Sequence, residues 1–189
     1  MKRRSRAPAT TPTINGSDCV DALAWTNEDQ TFMQNVNRLI FIIGTNNTHR
    51  VGADETVRCI SQTVESVRYL YPDLNIIWQL LQKRSSKTWL LPEGQPVLNE
   101  ISRCNIQLTQ LAAEMKFNTI QPDIPIEYMC DGLHPSAHGV RMMETNIRHY
   151  LKENKTIYSS SFSHVPSLSH IAVSSILGLF GRWVELWKF

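Results

Sequence analysis

Asp131 and His134 stand three residues apart in the stretch Asp131-Gly132-Leu133-His134-Pro135-Ser136. Pro135 stops any helix there and Ser136 can cap a new one, so one loop can hold the carboxylate and the imidazole pointing the same way. Such a pair is suited to proton transfer near neutral pH. His138 extends the pattern to Asp-x-x-His-x-x-x-His. It is not read as a metal site, because Pro135 prevents one continuous helix through both histidines and no third or fourth ligand is evident. The reading therefore calls for no metal and no cofactor. Cys130, beside Asp131, ends an apolar run and reads as an ordinary buried thiol. His49, His149, His164 and His170 read as surface residues without identifiable partners.

The elements that would position this loop follow from apolar patterning. Leu39-Ile40-Phe41-Ile42-Ile43 is a continuous apolar run, as expected of a strand buried on both faces, and it ends at Gly44-Thr45-Asn46-Asn47. Val57, Ile60, Val64, Val67 and Tyr71 recur at helical spacing over 53–71, and Pro72 ends that helix. Leu74 to Leu81 reads as a second buried strand. Strand, helix, strand implies a parallel sheet with a crossover connection. Ile101, Cys104, Leu108, Leu111 and Met115 mark another amphipathic helix, a short strand follows near Phe117 to Ile120, and a helix from Ala137 to about Leu151 buries Val140, Met143, Ile147 and Tyr150. Upstream, Ser17 or Asp18 can cap a helix through Val20, Leu23, Ala24 and Trp25, and a further helical stretch covers Phe32, Met33 and Val36. The fold class is α/β, a three-layer α/β/α sandwich with polar loops at the strand carboxyl ends, where sites in such sheets lie. The segment from Lys83 to Pro96 is long enough to read as a loop over a site.

With both loops in view the chain resembles the SGNH (GDSL-like) hydrolases. Their Gly-x-Asn-Asp block corresponds to Gly44-Thr45-Asn46-Asn47, with Asn47 where Asp is commoner, and their Asp-x-x-His-Pro block to Asp131-Gly132-Leu133-His134-Pro135. Asn46 precedes His134 by 88 residues (134 − 46), close to the spacing in compact members. The resemblance implies a flavodoxin-like sheet and ester hydrolysis. His134 would act as base and acid, Asp131 as its orienter, and the Asn46 amide with the Gly16 N–H as donors to the developing oxyanion. Gly16 precedes Asn46 by 30 residues (46 − 16), in an Asn15-Gly16-Ser17 turn. The segment Arg103 to Leu108 resembles the family's Asn-bearing helix, through Asn105.

The family's Gly-Asp-Ser block, which carries the nucleophile at the end of the first strand, is not found before Gly16. Ser5 lies in a basic context and Ser17 has no buried strand before it, so neither sits at a nucleophile elbow. The expectation is an N-terminally truncated domain whose sheet lacks its first strand, folds poorly alone, draws its serine from a segment upstream of Met1, and is inactive as it stands. A non-catalytic binding or accessory domain derived from the same fold, with a retroelement origin conceivable, is the alternative.

At 189 residues, 42% hydrophobic and 19% charged, the chain suits one domain with a sizeable core. A net charge of +2 is too mild to imply nucleic-acid binding. The expected partner is a small-molecule or acyl-ester substrate, with oligomeric state open. Residues 1–13, carrying Lys2-Arg3-Arg4, read as a disordered or remnant terminus, 14–153 as the hydrolase-like domain, and 154–189 as a Ser-rich linker and an apolar C-terminal helix. The apolar tail runs from Ile171 to Phe189; its uninterrupted part, Ile171 to Gly181, is too short for a bilayer span, and the helix reads as interfacial or domain-packing, which would allow peripheral membrane contact. The four scattered cysteines read as reduced thiols, and with no apolar signal segment in the basic start the default compartment is intracellular.

Overall fold

The run of large apolar residues before Gly44 forms the centre of the sheet. In the structure, a computed structural model that describes residues 19–28, 30–34, 36–85, 94–154 and 170–175, this strand is β1, Val36–Ile42. Leu39, Ile40 and Phe41 are fully buried, because layers cover both faces. The second and third strands are β2, Asn75–Gln79, and β3, Asn118–Ile120. β1 pairs with β2 and β2 with β3, both in parallel, through Leu39↔Ile76 and Trp78↔Thr119. The expected α/β/α architecture is present.

The helices follow the periodicity with two shifts. Helix α1, Cys19–Glu28, and the short α2, Gln30–Met33, precede β1, and Val36 belongs to β1 instead of the helical stretch expected for it. Helix α3 spans Thr45–Leu70 but has a non-helical residue at Gly52, so it comprises 45–51 and 53–70. The second part is the helix expected before Pro72. The first part is new: the Gly44-Thr45-Asn46-Asn47 loop is itself the entry turn of a helix. Helix α4, Gln95–Met115, starts earlier than its apolar stripe, with Pro96 in its first turn, where a missing N–H costs nothing. Helix α5, Ala137–Glu153, matches its expected start and is capped by Ser136, whose Oγ accepts from Gly139 N–H at 3.2 Å.

One buried cluster joins Leu39, Phe41, Ile76 and Trp78 to Ile60, Val64 and Val67 of α3, Leu108 of α4 and Ala22 of α1. The opposite sheet face joins Ile40, Ile77 and Ile120 to Met143, Ile147 and Leu151 of α5. The sheet is thus a layer between helices. A third cluster, Ala53, Leu81, Val97, Ile101, Cys104 and Leu133, seals the carboxyl edge.

The C-terminal region departs from expectation. Residues 171–175, read from the sequence as the start of an apolar helix, form with His170 the strand β4, His170–Ser175, parallel to β1 in a sheet ordered β3-β2-β1-β4. The physical reason is the open edge of β1. With no strand before β1 among the described residues, its outer N–H and C=O groups need partners, and an apolar segment with β-branched Ile171 and Val173 supplies them. The remainder of the expected apolar tail, 176–189, lies outside the described residues, as do the expected terminus 1–13, Ser17 and Asp18 as helix caps, the linker 155–169, and 86–93 of the expected loop over the site. Among the described residues, no helix is long and apolar enough to cross a membrane.

Candidate active site

The loop between the 3-10 turn Ile126–Tyr128 and α5 is closed on itself by short-range bonds. Met129 and Pro135 form an antiparallel bridge, Cys130 N–H donates to His134 C=O at 2.7 Å, and Ser136 N–H donates to Tyr128 C=O at 2.7 Å. Inside this ring the Asp131 carboxylate organises everything. Its Oδ1 accepts from the N–H of Leu133 at 2.9 Å and of His134 at 2.7 Å, and its Oδ2 faces His134 Nδ1 at 2.8 Å. The Asx turn fixes the carboxylate, and the carboxylate fixes the ring.

The electrostatics follow from these bonds. Burial by itself would raise the Asp131 pKa, but the hydrogen bonds from the His134 ring and from the His134 and Leu133 N–H groups outweigh it, and the carboxyl is lowered to about 2. An ionised carboxylate has no proton to give, so Nδ1 of the neutral ring carries the proton. Nε2 then holds the lone pair. That is the tautomer a general base requires.

The loop is tied to the sheet at two points. Leu133 is buried in the edge cluster with Leu81 and Ala53. Ser85 N–H donates to Gly132 C=O at 3.0 Å, linking the loop to the segment that leaves β2. Asn105 of α4 holds the start of that segment through the backbone of Leu81. Asn105 is thus a support of the site.

Asn46 lies in the first turn of α3, partly exposed, at the carboxyl end of β1. Gly44 adopts φ 113°, a conformation L side chains rarely take, and it turns the chain sharply from strand into helix. Asn47 is buried, and its Oδ1 accepts weakly from Cys19 Sγ at 3.7 Å. Its role is packing against α1. Asn46, in the first turn of α3, and the loop bearing Asp131 and His134 therefore lie at the carboxyl side of the sheet, while Gly16 lies outside the described residues.

Two sequence readings need revision. Cys130 is exposed instead of buried, because the bridge of Met129 to Pro135 takes the chain to the surface there. His149 is paired, with Nδ1 3.3 Å from Glu153 Oε2 one helical turn on. His138 packs its ring against Tyr128 at a centroid distance of 4.3 Å. The sequence reading also missed Arg84. Its guanidinium is pulled down to about 10 by burial, opposed by the charge of Asp131, and its Nε has no hydrogen-bond partner among the described residues. A cation at the head of a polar loop after a strand was the available signal.

No family model matches the chain, and no curated protein matches its sequence. Solved structures do. An inferred acylhydrolase from Bacteroides fragilis superposes with a TM-score of 0.62 at 18% identity, covering 73% of this chain and 71% of the other. A GDSL-like lipase from Bacteroides thetaiotaomicron gives 0.60 at 18% identity, with 73% and 72% covered. A carbohydrate acetylesterase from Sinorhizobium meliloti gives 0.59 at 15% identity, with 69% and 67% covered. The parallel sheet, the flanking helices and these likenesses together identify the fold of this chain as that of the SGNH (GDSL-like) hydrolases.

Proposed function

We propose that the chain is an ester hydrolase acting on small acyl esters. His134 is the base that accepts a hydroxyl proton and returns it to the leaving alcohol. Asp131 holds the ring in its Nδ1–H tautomer and stabilises the imidazolium that forms. Asn46 and the Gly16 N–H donate to the oxygen of the tetrahedral intermediate. The observation that carries the reading is the 2.8 Å contact between His134 Nδ1 and Asp131 Oδ2, with Oδ1 already fixed by two backbone N–H groups.

Turnover of p-nitrophenyl acetate by the purified chain tests it. Wild-type protein should hydrolyse the ester above the buffer rate, and His134→Ala should abolish the difference. No turnover by wild type, or equal turnover by His134→Ala, overturns the reading.

A further inference from the structure

His134 needs a hydroxyl to deprotonate, and the sheet topology points to one. From β1 the chain moves to β2 and then β3 on one side, whereas β4 pairs on the other side of β1. The direction of winding therefore reverses between β1 and β4. In open parallel sheets the crevice that receives ligands lies outside the carboxyl ends of the two strands at such a reversal. In the strand order 2-1-3-4-5 the first strand lies beside the third, and β4 occupies that place next to β1. A C-terminal segment has taken the position that a strand early in the chain would hold.

β4 reads His-Ile-Ala-Val-Ser-Ser, so its only hydroxyl residues stand at its carboxyl end. The register sets Ser174 beside Phe41 and Ser175 beside Ile42. Gly44 and the Asn46 turn follow two residues beyond Ile42, so both serines stand at the edge where the candidate site lies. The register also separates them. Phe41 belongs to the face covered by α1, α3 and α4, whereas Ile42 packs with the face covered by α5. The loop bearing His134 leads directly into α5, and Ser175 has the register position on that face.

We propose that Ser175, delivered by the C-terminal strand, is the nucleophile served by His134; this rests on the ester-hydrolase reading above. Ser175 Oγ forms a bond to the ester carbonyl carbon while its proton passes to His134 Nε2. The tetrahedral intermediate collapses by breaking the carbon–alkoxy bond, and the alcohol leaves with the proton from His134. Water then attacks the acyl-serine, its proton passes through His134 back to Ser175, and the carboxylic acid departs. No oxidant, metal or further reactant enters the balance.

The experiment uses the full chain and two readouts, p-nitrophenyl acetate turnover and labelling by diisopropyl fluorophosphate with peptide mass mapping. Wild type should give one phosphoserine-type adduct, on Ser175. Ser175→Ala should lose the adduct and about 10³-fold or more in turnover, while Ser174→Ala stays within a few-fold. The circular dichroism spectrum and melting curve of Ser175→Ala should match wild type, since Ala fits a strand end. An adduct on another serine, or wild-type turnover in Ser175→Ala with His134→Ala inactive, overturns the assignment and leaves the hydrolase reading standing. An inactive and unlabelled wild type overturns both.

Discussion

Asn105 on α4 grips the backbone of Leu81 with both ends of its amide. Oδ1 accepts from Leu81 N–H at 2.7 Å, and Nδ2 donates to Leu81 C=O at 2.9 Å. An amide side chain carries both a donor and an acceptor, so it can satisfy a peptide N–H and C=O at once. The clamp completes a path from α4 through Leu81 and Ser85 to Gly132 C=O, and so to the His134 loop.

Asn105→Leu keeps the branched shape and removes both bonds, leaving two peptide groups of a buried residue unpaired. It should destabilise the fold by about 2–4 kcal/mol. Denaturant unfolding measures the loss, and amide hydrogen exchange should show faster opening at Leu81 and Ser85. Unchanged stability would mean that Leu81 finds other partners without cost.

Asp131→Asn preserves an acceptor for the two N–H groups but allows its NH₂ to face Nδ1, which favours the wrong ring tautomer. Turnover should fall by about 10³–10⁴-fold. The same carboxyl links stability to pH. Its folded pKa of about 2 lies below the ordinary 3.8, so its contribution is complete above pH 4 and is lost as the pH falls towards 2. Denaturation between pH 6 and pH 2 should therefore show the wild-type advantage over Asp131→Asn shrinking across that window. A gap independent of pH would show that the carboxylate is not the group responsible.

Asn46→Ala removes a proposed donor to the oxyanion without disturbing Gly44, which makes the turn. The expected loss is about 10²–10³-fold in kcat with KM little changed, because the charge it serves develops only in the transition state. Steady-state kinetics decide it. A rise in KM alone would make Asn46 a substrate-binding residue.

Gly139 lies in the first turn of α5, where a Cβ would come within 2.7 Å of Tyr128 C=O and 3.2 Å of Ile124 Cγ2. Backbone cannot yield as a flexible side-chain tip can. Gly139→Ala should cost about 1–3 kcal/mol and push α5 away from the loop, lowering turnover as well as the melting temperature. A melting temperature equal to wild type would show that α5 can shift freely.

The parts of the fold legible in the sequence are those specified locally. Leu39 to Ile43 has no polar residue, so it must be buried on both faces, and the stripe from Val57 to Val67 has one apolar side, so it must be a helix against a sheet. The Asp131-His134 pair was legible for the same reason. Three residues and a proline close the turn, and the carboxylate bonds to the N–H groups two and three residues on.

Other relationships join residues far apart in the chain. Asn105 meets Leu81, and Gly139 meets Tyr128, only after the layers pack, so nothing within either helix announces the contact. Residues 170–175 carry the plainest instance. Six residues with Ile171, Ala172 and Val173 at their centre satisfy a helix face or a strand equally well, and helical periodicity cannot be read over so short a run. What decided between them was the edge of β1, more than a hundred residues earlier, whose backbone groups pair with this segment as a parallel strand. The sequence by itself thus determined a layered α/β chain bearing an acid-imidazole pair. Only tertiary structure decided that its last described strand would lie beside its first, bringing Ser175 to the carboxyl edge where that pair is held.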